Sequence, residues 1–134
     1  MMPRYEVLEH TADLALRIHG HDLRELFANA AYAMFSQLAN LEYAPDLQHQ
    51  VAVEGSDYES LLVNWLNELL YLHETRGEVY TVFDIEQLTA QYLHATVHGT
   101  RSQDVEMIIK AATFHDLAIQ TTGDGYAATV VFDV

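Results

Sequence analysis

Hydrophobic and polar residues alternate over most of this chain, and that period of two restricts its possible folds more than any other feature. Around residues 13 to 19, Leu14, Leu16 and Ile18 point one way while Asp13, Ala15, Arg17 and His19 point the other. A strand with one face on a core and the other in water reads this way. The same alternation predicts strands over 4–9, 47–54, 78–86, 91–98, 105–112, 114–121 and 126–133. Gly123-Asp124-Gly125 offers positive-φ positions for a tight turn joining the last two. The only prolines, Pro3 and Pro45, fall outside these strands.

Two segments break the alternation with a period near 3.6. Over 22–39, Leu23, Leu26, Phe27, Ala30, Met34 and Leu38 recur at three- and four-residue spacing, behind the capping-box spacing of Asp22 and Glu25. Over 57–74, Leu61, Leu62, Trp65, Leu66, Leu69 and Leu70 make a broader apolar stripe. There Ser56 is placed to cap and Glu59 to reach back. The broader stripe predicts that the second helix is the more buried. Consecutive strands with two interspersed helices predict an α+β fold, the helices packed on one face of a largely antiparallel sheet.

At 134 residues, half of them hydrophobic, the chain suits a single domain over 1–134. It has no cysteine, so disulfides, thiolate metal sites and a thiol nucleophile are all excluded. The N-terminal MMPRYEVLEH lacks the apolar core of a signal peptide, and no run approaches the roughly 18 apolar residues of a membrane span. A cytoplasmic protein without membrane association is expected. Twenty acidic residues against six basic ones give a net charge of −14. Such a surface repels a polyphosphate backbone, so strong direct nucleic-acid binding is not expected. It suits a basic partner or a bound cation, and equally serves solubility.

Several residues carry candidate chemistry. His10-Thr11-Ala12-Asp13 joins an imidazole and a carboxylate just before a strand whose apolar face is already assigned, which leaves Asp13 on the polar face. Asp13 can equally bond its own backbone in a turn, and His10 can be structural. At the other end of the chain Asp133 follows a hydrophobic run and precedes Val134, whose α-carboxylate would add a second anionic donor. With a third acid the pair would suit a hard cation; the alternative is a frayed, solvated terminus. Asp57 opens the second helix, where the helix dipole alone accounts for it. Lys110 is the only lysine and is flanked by apolar residues, which calls for a salt bridge or a route to the surface along its stem. His115 reads as structural. The chain has no phosphate-binding loop, dinucleotide fingerprint, zinc-protease helix motif or nucleophile elbow.

In order along the chain stand His10-Thr11-Ala12-Asp13, the helix DLRELFANAAYAM from Asp22, SDYESLLVNWLNELLY from Ser56, IKAATFH from Ile109, and VVFDV from Val130. This ordered set resembles the archease family from residue 9 to residue 134. Residues 74–105 contribute nothing to the likeness. The resemblance implies helices on a sheet and a divalent-cation site at Asp13, Asp133 and Val134, with Asp57 in the same acidic cluster. Calcium is the expected ion, with magnesium or manganese as alternatives. It further implies an accessory protein, not an enzyme, that promotes guanylylation and multiple turnover of a tRNA-splicing RNA ligase. A second reading is a chaperone-like module protecting tRNA-modifying enzymes such as methyltransferases from aggregation. A third, a small hydrolase using Asp13 and His10, has the least behind it.

Overall fold

The computed structural model describes residues 3–8, 13–102 and 104–134, and among these the alternation is realised as eight strands in two sheets. Strands β1 (Tyr5–Leu8), β2 (Leu14–Gly20), β8 (Gly125–Asp133) and β6 (Ala111–Ala112) lie in that order, with β7 (Gln120–Thr122) also pairing β8. The second sheet has the order β3 (Leu47–Glu54), β5 (Tyr92–Arg101), β4 (Glu78–Leu88). Every pairing is antiparallel. The α+β expectation therefore holds, with two sheets where the alternation gave no means of telling one from two. No described helix is long and apolar enough to cross a membrane.

Helix α1 (Leu23–Leu38) starts where Asp22 Oδ1 accepts the Glu25 amide at 2.8 Å, while Glu25 reaches back to the His21 amide at 3.1 Å. Helix α2 (Tyr58–Arg76) differs from expectation at its start. Asp57, not Ser56, is the cap: it accepts from the Ser60 amide at 2.7 Å, and Ser60 Oγ accepts from the Asp57 amide at 3.1 Å. Glu59 is thereby released for another contact, described below. Gly77, at φ 66°, ends α2 in the left-handed conformation that glycine adopts without a Cβ clash.

The burial expectation is reversed. Nine residues of α1 are buried against seven of the longer α2. Small side chains explain this: Ala30, Ala31 and Ala33 let α1 approach closely, and it packs on β2 of one sheet and β4 of the other. Trp65 of α2 is fully buried, donates from Nε1 to the Phe27 carbonyl of α1 at 3.0 Å, and meets Phe83 of β4 edge-on at 6.3 Å.

Two predicted strands are mostly not strands. Of 105–112 only Ala111–Ala112 pairs as a strand, with an isolated bridge at Val105, and of 114–121 only the last two residues do. The backbone here finds other partners: Glu106 bonds the Leu38 carbonyl at 2.7 Å, and Thr113 the Val131 carbonyl at 3.0 Å. Alternation reports one buried face, which an irregular segment pinned along a sheet edge also has. The β7–β8 hairpin turns at Gly123 and Asp124, and its positive φ falls at Gly125, at 149°, where a Cβ would lie 2.2 Å from the Gly20 carbonyl.

Candidate functional site

The β2–β8 ladder pairs Leu14 with Phe132. One further step in register sets Asp13 opposite Asp133. Leu16, Ile18, Val130 and Phe132 belong to the core, so alternation puts Asp133 on the opposite face and, carried one residue past the start of β2, puts Asp13 there as well. Residues directly opposed across an antiparallel pair have Cβ atoms about 5 Å apart, and like charges there destabilise the pair. Asp133 also pairs with Ala111 of β6 on its other side. Asp13 is half-buried and Asp133 exposed, while Val134 beyond it is 38% exposed.

Lys110 lies at this same end of the sheet. Its amide donates to the Asp133 carbonyl at 2.8 Å, and its side chain is exposed. Among the described residues no carboxylate lies within salt-bridge distance of its ammonium, so the predicted salt bridge is not found and the route along the stem to the surface is the one taken. Since no pair is lost, Lys110→Met should change stability by less than about 0.5 kcal/mol in urea unfolding. A larger loss would show an interaction of the ammonium within the fold.

Asp57 is not brought to this end. Asn67 of α2 bonds Ala112, beside Phe132 in the ladder, and about 15 Å of helix separates it from Asp57. Asp57 keeps the capping role that its position alone explains. His115 is exposed, with Nε2 3.3 Å from Asp116 Oδ2. His10 lies outside the described residues. No group of three His, Asp or Glu side chains among the described residues is already gathered as a metal site. The donors at Asp13 and Asp133 are nonetheless hard oxygens, the type calcium and magnesium prefer.

Three polar features escaped the sequence reading. Asn67 binds both polar groups of Ala112, donating to its carbonyl at 3.2 Å and accepting from its amide at 2.8 Å. Glu59 Oε2 accepts the Ile119 amide at 3.0 Å. Glu78 is 5% exposed and accepts the Tyr80 hydroxyl at 2.8 Å; burial, then this carboxylate, push the Tyr80 phenol well above the ordinary tyrosine range. His49 Nε2 lies 2.7 Å from the same Glu78 oxygen, close but out of hydrogen-bond alignment. Asn67 had a sequence signal, a weak helix former beside a leucine stripe. Glu78 had none, because His49, which meets its carboxylate, lies on β3, remote in sequence.

The model of the archease protein family matches residues 5–134. An archease of Methanosarcina acetivorans is 37% identical, over 98% of this chain and 96% of its own length. One of Pyrococcus abyssi is 37% identical, over 99% of this chain and all of its own. A solution structure of a Methanobacterium thermoautotrophicum protein superposes with a TM-score of 0.84 at 31% identity, covering 99% of this chain and 100% of that one. The crystal structure of a Thermotoga maritima archease, described as a possible chaperone, gives 0.67 at 25% identity, covering 95% and 94%. The chain belongs to the archease family.

Proposed function

We propose that this protein is an accessory factor that holds a divalent cation, calcium in the first instance, at Asp13, Asp133 and Val134 and promotes guanylylation and turnover of a tRNA-splicing RNA ligase. The observation that carries the reading is the register of β2 against β8, which continued by one step sets Asp13 opposite the exposed Asp133 in a chain of net charge −14. A divalent cation held between two opposed carboxylates offsets their mutual repulsion. Asp57 is left out of the cation site, because the helix that carries it starts at the far end of the sheet. Exposed Lys110, beside the carboxylates, supplies a positive charge at the partner-facing edge.

The ligase, GTP and metal are assayed with and without the protein. A rise in guanylylated ligase and in ligation beyond the first turnover is expected, and the protein alone should neither join nor cleave RNA. No change in either ligase step would overturn the reading. Lys110→Met is expected to lower this assistance modestly; complete loss with cation affinity intact would point to direct chemistry by the lysine.

A chaperone-like role is a second reading. It is favoured by the exposure of Tyr71, Ile108 and Phe114, at 59%, 71% and 57%. Suppression of methyltransferase aggregation that is indifferent to calcium and to Asp133→Ala would select it over the first.

A further inference from the structure

Between β5 and β8 the chain crosses residues 104 to 119 with only two residues of strand, and one helix holds this stretch at two points. Glu59 of α2 takes the Ile119 amide, and Asn67, two turns further on, takes Ala112. The Ala112 contact has a specific geometry. Thr113, the next residue, bonds inward to β8 through its amide on the Val131 carbonyl at 3.0 Å, and Lys110, two residues earlier, holds the end of β8 through its amide on the Asp133 carbonyl at 2.8 Å. The amide and carbonyl of Ala112 therefore face the other way, as the outer groups of an edge strand do. The Asn67 side-chain amide meets both of them, a donor for the carbonyl and an acceptor for the N–H, and so takes the place of the peptide group that a next strand would supply.

We infer that Asn67 is a positioning residue for the Asp13–Asp133 site: by closing the outer edge of β6 it keeps β6 paired to β8 and thereby fixes the Asp133 end of β8 and the backbone of Lys110. A two-residue strand cannot hold its register alone. Without the clamp, β6 retains only its inward bonds, and the last residues of β8 lose a neighbour on one side. Asp133 would then sample orientations away from Asp13, which costs cation affinity while the core, built from the opposite face of the sheet, stays intact.

The inference rests on the reading of Asp133 as a cation ligand, and the test separates the two. Amide hydrogen exchange is measured on cation-free protein, and calcium affinity by calorimetry, for the wild type, Asn67→Ala and Asp133→Ala. In Asn67→Ala the Lys110 and Ala112 amides should exchange at least about tenfold faster, while those of β2 and the middle of α2 change little. Its calcium affinity should fall about fivefold or more. Asn67→Asp, which keeps the acceptor for the Ala112 amide and repels its carbonyl, is read by exchange alone and should fall between the two; it serves if Asn67→Ala does not fold. Unchanged exchange at Lys110 overturns the inference whether or not calcium binds. Calcium affinity lowered by Asp133→Ala and untouched by Asn67→Ala overturns it while leaving the site reading in place. A wild type that binds no calcium sinks the site reading, and the exchange at Lys110 then decides alone whether Asn67 positions the end of β8.

Discussion

Truncation of Trp65 to alanine is expected to cost about 3–5 kcal/mol of stability, the largest effect of any single substitution considered for this fold. The indole is fully buried and joins three elements: it lies on α2, donates to the Phe27 carbonyl of α1, and meets Phe83 of β4. Its removal leaves a cavity between the helices and the second sheet that close-packed neighbours cannot fill without strain. Against a total stability of about 5–15 kcal/mol the variant would be marginal. Trp65→Phe restores much of the apolar contact and loses the hydrogen bond, so it should cost less, about 1–2 kcal/mol. Urea unfolding of the three proteins gives the comparison. A cost below about 1 kcal/mol for Trp65→Ala would mean that the two helices are not joined through this residue.

Which parts of this arrangement the sequence discloses follows from the range of the forces involved. The strands β2, β3, β4, β5 and β8 and both helices are legible because each carries its own periodicity. The polar face assigned to Asp13 is legible for the same reason. The rank of the helices by burial is misread from leucine content, since the alanines of α1 admit two sheets where larger side chains would hold them apart. The stretch from Val105 to Ile119 is misread as strands because its backbone is satisfied by Glu59, Asn67 and the edge of β8, partners remote in sequence. The site is split in the same way. Asp13 and Asp133 can be singled out as acids flanking apolar strands, but their juxtaposition depends on the β2–β8 register, which links opposite ends of the chain. Asp57 shows the reverse: the family resemblance groups it with the other acids, and the direction of α2 takes it away.

Replacing Asp133 or Asp13 by alanine is expected to weaken calcium binding at least about tenfold, or about 1.4 kcal/mol, because each substitution removes one oxygen ligand and one negative charge. The sign of the effect on stability depends on the cation. In a chelating buffer Asp133→Ala should melt no lower than the wild type, since it loses half of a like-charge pair. With calcium at about a hundred times its dissociation constant, the wild type should gain about 2.7 kcal/mol, and the variants should gain much less. A variant that loses stability equally with and without calcium would have a structural role only. Magnesium and manganese titrated in parallel establish which ion the pair prefers.

Calorimetric titration of calcium into the cation-free wild type and into Asp133→Ala, at one ionic strength and pH, tests the central claim most directly. The expected result is one calcium per wild-type chain and at least about tenfold weaker binding by the variant. Equal affinity in the two proteins, or no binding by either, would contradict the claim and leave Asp13 and Asp133 without a role in holding a cation.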